Sequence, residues 1–347
     1  MQWIQSIFST PAGLVLAFLL VAALVVVAGI RLSLYGDALG ERTGLGSGLI
    51  GLVFLAAVTS LPELVVSITS VLQNANLSTG ADLATGNMLG SNVFNLLILA
   101  LMALFMSSRF KPQEMKNLHT DSMLYGLFLL AIFSIAFALS RKIPLLLPGL
   151  GCSAFTLLLP LAYLVFLIRE HRQHTAAEEP ATLPEETLLA HQPAFRFYSI
   201  LATLCAAIIL GGIALSILGS RMALPPEQGG FGLEASFIGT LFLAISTSLP
   251  ELVISFSGLR FGLLDMAVGN VLGSNMFNLL IIFAADVAMR KESLLAHASG
   301  KNWSSVALIF ILTLLAALLL RTRKKAASIP IAALMLGIYF IAFIVLS

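Results

Sequence analysis

Two glutamates, Glu63 and Glu251, stand in the middle of otherwise apolar stretches, and their surroundings are nearly the same. Residues 59–67 read TSLPELVVS and residues 247–255 read TSLPELVIS, identical at eight of nine positions. An unpaired carboxylate inside a bilayer is strongly unfavourable, and no Lys or Arg lies well inside an apolar stretch to pair with it. A bound cation is the natural counter-charge, so we predict that both glutamates are cation ligands.

A proline, Pro62 or Pro250, directly precedes each glutamate. Proline has no backbone N–H and its ring clashes with the carbonyl four residues earlier, so that carbonyl is freed from the helix. A simple kink would explain the proline alone, but a kink beside a carboxylate and two hydroxyls supplies a cluster of oxygens, the ligands of hard cations. The freed carbonyls belong to Val58 and Ser246, and the adjacent hydroxyls to Thr59, Ser60, Thr247 and Ser248.

A second sequence is also repeated. Residues 86–98 read GNMLGSNVFNLLI and residues 269–281 read GNVLGSNMFNLLI, identical at 11 of 13 positions. Polar residues spaced by four lie on one face of a helix, and on that face we predict four ion ligands: Ser91, Asn95, Ser274 and Asn278. For the other asparagines of the motif, hydrogen bonding between helices is the alternative to ion binding; these are Asn87, Asn92, Asn270 and Asn275. The glycines are predicted to allow close packing of helices; these are Gly86, Gly90, Gly269 and Gly273.

The composition places these motifs in a membrane. Of 347 residues, 59% are hydrophobic and 10% are charged, against about 45–50% and about 25% in soluble domains. The net charge is +2 and no basic tract stands out, which argues against a nucleic-acid partner. The two cysteines lie in apolar runs, where small buried side chains are typical. We therefore expect the lipid bilayer to be the main surrounding of this chain.

Apolar runs of membrane-helix length predict an all-α polytopic membrane protein with ten transmembrane helices. We expect a first repeat at 1–168, a linker at 169–196 that is rich in acidic residues and proline, and a second repeat at 197–347. The predicted spans are 11–34, 46–73, 82–106, 122–140, 143–168, 197–219, 233–259, 264–289, 303–320 and 328–346.

Five helices per repeat is an odd number, so the second repeat enters the membrane from the opposite side. Such inverted repeats are typical of alternating-access transporters. The odd-numbered loops, counted together with Arg31 at the end of the first span, carry 13 of the 19 Lys and Arg residues, which predicts that they are cytoplasmic, with both termini outside. We expect a prokaryotic inner membrane, a cytoplasmic linker, and first and sixth helices that slide, with residues 36–51 at the moving boundary.

The motifs TSLPE and GSNxFN resemble the paired alpha-repeats of the calcium/cation antiporter superfamily, and are more similar to its sodium/calcium exchanger branch than to its calcium/proton branch. The match covers both motif regions, 56–98 and 244–281. By this resemblance, Glu63 and Glu251 hold Ca2+ with the carbonyls of Thr59 and Thr247. The glycine that usually precedes the Thr-Ser pair is replaced by Val58 and Ser246, and some prokaryotic members have Asp at the position of Asn278.

The same resemblance implies two flanking Na+ sites, and it implies that Asn95 and Asn278 face the central site. One Na+ site consists of Ala56, Thr59, Ser91 and Glu251, and the other of Ala244, Thr247, Ser274 and Glu63.

Charge leaves the coupling ion open. Two carboxylates neutralise one Ca2+, and two protons would neutralise them equally, whereas three Na+ would leave a charge of +1. We favour Na+ because hydroxyl oxygens are ligands that protons do not need; Ca2+/H+ exchange is the alternative, and a cation channel or a non-transporting scaffold is less favoured. No HExxH, GxSxG or Walker A motif occurs, so we expect no enzyme activity and no cofactor. The oligomeric state stays open.

Overall fold

Helices account for nearly all regular structure in the computed structural model. The structure describes residues 10–74, 76–112, 118–143, 145–147, 149, 151–174, 189–228, 230–231, 246–290, 292–322 and 325–346. In chain order its longer helices are α1 (Pro11–Thr43), α2 (Ser47–Gln73), α3 (Leu77–Phe105), α4 (Leu118–Ser140), α5 (Leu158–His174), α6 (Ala194–Ala223), α7 (Leu249–Phe261), α8 (Leu264–Met289), α9 (Asn302–Arg321) and α10 (Lys325–Leu346). Each predicted span is therefore overlapped by one of these helices.

Seven of these helices are long and apolar enough to cross a bilayer: α1, α2, α3, α4, α6, α8 and α9. The helix α5 has 17 residues and the described part of α7 has 13. In α10 the apolar stretch is the shorter Ala327–Ala342. Large apolar side chains of α1 are exposed (Leu16, Leu19, Leu20, Leu24 and Val27), as expected for a helix that faces lipid rather than water.

Helix ends follow local capping chemistry. The backbone N–H of Gly13 donates to Thr10 Oγ1 over 3.1 Å at the start of α1, and Pro11 occupies the first turn, where its missing N–H is not needed. The helix ends at Gly44, which has φ 70°, a left-handed conformation that glycine adopts without strain. At the start of α3, Asn76 Oδ1 accepts from the backbone N–H groups of Ser78 and Thr79.

The predicted helical span at 143–168 is wrong over its first half, because α5 begins only at Leu158. Before it, Leu146 and Ser153 form an isolated antiparallel bridge, and Gly149 and Gly151 have φ values of 87° and 68°. These left-handed glycines reverse the chain. The helix then continues to His174, into the segment predicted as linker.

The buried apolar side chains form two separate clusters. The larger one combines residues of α3, α4, α8, α9 and α10. The smaller one joins α1 to α6, with fully buried Leu32, Phe197 and Leu215, and reaches residues such as Leu55 of α2. The helices α1 and α6 therefore pack together, in a cluster that also includes Val58 of α2, Ile254 of α7 and Met266 of α8.

Arg42 strengthens the pairing of α1 with α6 at one end. Its Nη1 donates to the backbone carbonyls of Ala190 and Gln192, both over 2.9 Å. Its guanidinium lies 4.5 Å from the centre of the Phe197 ring, a cation–π contact. The end of α1 is thus joined to the chain that enters α6.

Candidate cation-binding site

Glu63 on α2 and Glu251 on α7 are each only 1% exposed. Within the described part of the chain, neither carboxylate forms an ion pair. Glu251 Oε1 accepts a hydrogen bond from Ser60 Oγ over 3.3 Å, which brings the two repeats into direct contact. Both oxygens of Glu63 and the other oxygen of Glu251 have no hydrogen-bond partner among the described residues. Buried carboxylates without donors are unfavourable unless a cation binds them or a proton neutralises them.

The backbone of each glutamate is held in the same way in both repeats. Asn87 Nδ2 donates to the carbonyl of Glu63 over 3.3 Å and to Ser67 Oγ over 3.0 Å. Asn270 Nδ2 donates to the carbonyl of Glu251 over 3.4 Å and to Ser255 Oγ over 3.0 Å. Of the two roles considered for Asn87 and Asn270, the structure therefore shows hydrogen bonding between helices.

Further polar atoms of the two motifs lie in the same interior. Thr59 Oγ1 and Ser274 Oγ are 3.3 Å apart, a second contact between the repeats. Ser248 Oγ, both side-chain polar atoms of Asn95 and the Oδ1 of Asn278 are buried and lack a hydrogen-bond partner among the described residues. Oxygen atoms without donors in a sealed interior are suited to a hard cation.

Most of the predicted ligands are buried. The buried members are Glu63, Glu251, Ala56, Thr59, Ser60, Ser91, Ser248, Ser274, Asn95 and Asn278, and Thr247 is half-buried. Ala244 lies outside the described residues. The contacts in the structure join Ser60 to Glu251 and Thr59 to Ser274.

A π-helical segment, Ile50–Leu55, stands directly before the first motif. Segments of this kind are frequent at functional sites. It packs against the backbone of α8 so closely that a methyl group on Gly273 would lie 1.9 Å from the carbonyl oxygen of Leu52, and one on Gly269 would lie 2.6 Å from that of Gly48. The close packing predicted for Gly269 and Gly273 is therefore confirmed.

The repeat-equivalent glycines behave differently in the described structure. A methyl group on Gly86 or Gly90 would meet no heavy atom of the described residues within 4 Å. Residues 232–245 lie outside the described residues. The predicted close packing of these two glycines stays a prediction.

Sequence reasoning missed Gly212 on α6. A methyl group there would lie 2.5 Å from Cγ of Pro62 and 3.4 Å from Cγ of Pro250. The backbone of α6 therefore crosses both motif prolines, each next to a buried glutamate. The only sequence signal was the Gly211-Gly212 pair in an apolar run, which is too common in membrane helices to be specific.

Asp286, near the end of α8, is a further buried acid, and its partners are backbone and hydroxyl donors. It accepts from the N–H groups of Ser153 and Leu294, over 2.7 Å and 2.6 Å, and from Thr156 Oγ1. It thus ties the bridge before α5 to the chain after α8.

We expect Asp286→Asn to lower the free energy of unfolding by about 1–3 kcal/mol. The NH2 group of the asparagine would face a hydrogen-bond donor in place of a carboxylate oxygen, and that donor would lose its acceptor. Thermal unfolding in detergent measures this change. Asp121→Asn is the matched control, since Asp121 is 35% exposed and lies 3.7 Å from Arg169. An unchanged melting temperature for Asp286→Asn would contradict the assigned structural role.

Helices long enough to cross a bilayer and lipid-facing apolar surfaces define the chain as a helical integral membrane protein. A sequence profile of the sodium/calcium exchanger protein family matches residues 13–169 and 192–347, nearly the whole chain. The chain therefore belongs to the sodium/calcium exchanger family, a family of transporters. This confirms the resemblance to the calcium/cation antiporter superfamily.

Individual relatives agree over most of their length. The inner membrane protein YrbG of Escherichia coli is 30% identical over 310 residues, which are 85% of this chain and 86% of YrbG. The putative antiporter CaxA of Alkalimonas amylolytica is 27% identical over 293 residues, 82% of this chain and 86% of CaxA. A structure of the sodium-calcium exchanger NCX_Mj, soaked with Na+ and Sr2+, matches with a TM-score of 0.68 and 22% identity over 95% of this chain and 97% of that chain. That likeness shows the shared fold.

Proposed function

We propose that this protein is a secondary active antiporter that exchanges Ca2+ for Na+ at one shared site in the middle of the membrane. The observation that carries the proposal is the pair of buried glutamates, Glu63 and Glu251, which have no cationic side chain among the described residues to neutralise them. Relatives with the same fold include a putative antiporter and a sodium-calcium exchanger.

The ligand sets follow the motifs. Glu63 and Glu251, with the carbonyls of Thr59 and Thr247, would hold Ca2+. The Thr59–Ser274 contact of 3.3 Å joins one hydroxyl from each of the two proposed Na+ sites, so hydroxyl oxygens of both repeats lie in the same interior. The proposed Na+ ligands are Ala56, Thr59, Ser91 and Glu251 on one side and Ala244, Thr247, Ser274 and Glu63 on the other, with the hydroxyls of Ser60 and Ser248 adjacent and Asn95 and Asn278 toward the centre.

For the architecture we infer two inverted repeats of five helices, 1–168 and 197–347, joined by a cytoplasmic linker at 169–196. The matching Asn87–Glu63 and Asn270–Glu251 hydrogen bonds support the repeat. With both termini outside, the excess of Lys and Arg lies in cytoplasmic loops. A prokaryotic inner membrane is consistent with the name of the relative YrbG.

Alternating access would come from movement of the α1–α6 pair across the site. The two helices pack together in one buried cluster, and α6 touches both motif prolines through Gly212. A shift of α6 along this contact would act on both glutamates at once. Two carboxylates without a cation repel each other, so the carrier resists the change until either Ca2+ or the counter-ion is bound.

The test is uptake of radioactive Ca2+ into proteoliposomes loaded with Na+, at equal pH on both sides. We expect uptake that requires internal Na+ and saturates with it, because the hydroxyl oxygens around the carboxylates are additional Na+ ligands. The control vesicles contain no Na+ and carry an outward proton gradient.

Uptake driven only by the proton gradient would instead make the protein a Ca2+/H+ exchanger on the same glutamates. Current that passes without any counter-ion would indicate a channel. No uptake under either condition would refute Ca2+ antiport and leave the fold of the family standing.

A further inference from the structure

One hydrogen bond behind the central site joins the two repeats through their asparagines. Asn278 Nδ2 donates to Asn92 Oδ1 over 3.0 Å, and the two residues are 0% and 2% exposed. The NH2 and the oxygen of an amide diverge from the same trigonal carbon, so the bond from Nδ2 to Asn92 directs the Asn278 oxygen elsewhere. That oxygen has no donor among the described residues, as expected of an oxygen reserved for a cation.

The repeat contains the parts of an equivalent bond. In the motif GSNxFN, Asn92 corresponds to Asn275 and Asn95 corresponds to Asn278. In the described structure neither Asn95 Nδ2 nor Asn275 Oδ1 has a hydrogen-bond partner. The donor and the acceptor of the second bond are therefore both unsatisfied, while the first bond is made.

The serines of the first motif show the same one-sided pattern. Ser60 donates to Glu251, whereas its repeat counterpart Ser248 and the oxygens of Glu63 lack a partner within the described ranges. In these two repeat-related pairs, Asn278–Asn92 and Ser60–Glu251, the conformation thus satisfies one member and leaves its counterpart without a partner among the described residues. Buried polar groups are rarely left unpaired in this number without a ligand.

Space for the amides to rearrange lies next to them. A cavity of about 20 Å3 is lined by Asn92, Asn275, Ser122 and Thr313 together with apolar side chains of α3, α4, α8 and α9. This volume admits about one water molecule. A water molecule there could donate a hydrogen bond to Asn275 Oδ1. The side chains of Asn92 and Asn275 therefore border a small space with polar groups.

We propose that Asn92 and Asn275 are positioning residues, which accept a hydrogen bond from the amides of Asn278 and Asn95 and thereby turn the amide oxygens toward the bound cation. In the present conformation Asn92 does this for Asn278. The inference rests on the proposed function, because it assumes that the central site binds a cation. Outer partners that orient a metal ligand typically change metal affinity by about 10–100-fold when they are removed.

The experiment is a double-mutant cycle between Asn92→Ala and Asn278→Asp, read as the KM and the maximal rate of Ca2+ uptake. With Asn at 278 we expect Asn92→Ala to raise the KM by about tenfold at a nearly unchanged maximal rate. With Asp at position 278, both terminal side-chain atoms are oxygens. Either of them can then face the cation, so no hydrogen bond from residue 278 to Asn92 is needed to orient the side chain. In that background we expect Asn92→Ala to change the KM by less than about twofold, since coupled residues show non-additive effects.

Thr313→Val is the matched control, because Thr313 lines the same cavity and its hydroxyl is bonded to the carbonyl of Ile309 in its own helix. We expect its KM to stay near that of the unaltered protein. The melting temperature, measured with and without Ca2+, gives a second readout. We expect Asn92→Ala to reduce the increase in melting temperature that Ca2+ causes by more than it reduces the melting temperature without Ca2+.

Equal losses from Asn92→Ala in both backgrounds would overturn the inference in favour of a purely structural role. An unchanged KM for Asn92→Ala would overturn it as well, while leaving the proposed function intact if Glu63→Gln still abolishes uptake. If the unaltered protein neither transports Ca2+ nor is stabilised by it, the proposed function and the inference fail together.

Discussion

Glu63→Gln and Glu251→Gln are each expected to reduce Na+-driven Ca2+ uptake by about 100-fold or more. Either change removes one of two buried carboxylates from the cation, and breaking a buried charge pair costs about 3–5 kcal/mol. A factor of ten corresponds to about 1.4 kcal/mol, so the loss is large on any transport assay. Initial rates in proteoliposomes, normalised to the amount of reconstituted protein, measure the effect.

The same variants separate a binding role from a structural one. A glutamine does not carry a buried charge, so the melting temperature in cation-free detergent stays the same or rises, whereas stabilisation by Ca2+ disappears. Glu292→Gln is the matched control, since its side chain is 52% exposed and contacts His297. Exchange close to that of the unaltered protein in both variants would contradict the shared carboxylate site.

Gly273→Ala is expected to lower the free energy of unfolding by about 2–3 kcal/mol, as overpacking in a dense interior does. The added methyl group would lie 1.9 Å from the carbonyl oxygen of Leu52 and 2.7 Å from Cβ of Ala56. The α8 backbone must move away from α2, and this movement also separates Ser274 from Thr59. We therefore expect a lower melting temperature together with weaker cation binding, and no folded protein for Gly273→Leu.

Gly337→Ala in α10 is the control for this change. It lies in an apolar helix, and a methyl group there would meet no heavy atom of the described residues within 4 Å. Alanine is preferred to glycine within helices, so the control should be neutral or slightly more stable. Equal behaviour of Gly273→Ala and Gly337→Ala would show that the close approach of α2 and α8 is unimportant for stability.

Much of the fold was predictable because its signals are local. Apolar runs of membrane-helix length predicted the positions of the helices, and repeated motifs predicted which polar residues are buried together. The failure at 143–168 has a physical cause: apolar composition does not distinguish a helix from a buried reversal, whereas the left-handed Gly149 and Gly151 do.

Part of the site could not be predicted because it depends on contacts distant in sequence. Helix spacing correctly placed Ser91 and Asn95 on a buried face. It could not show that α6 crosses Pro62 and Pro250 at Gly212, because no property of Gly212 alone specifies its neighbour. The hydrogen bond of Asn278 to Asn92 likewise joins two residues that are 186 positions apart in the chain.

The sequence by itself determined that the chain is a membrane protein, that it contains a repeated pair of motifs, and that carboxylate, hydroxyl and amide groups are available for a cation. Only the tertiary structure decided which of these groups meet, as when Ser60 donates to Glu251 across 191 residues. It also decided that the bonds of Ser60 and Asn92 are made, whereas those of their repeat counterparts Ser248 and Asn275 are not made among the described residues. The reason is that side-chain chemistry is a property of each residue, whereas hydrogen-bond partners depend on how packed helices are placed relative to one another.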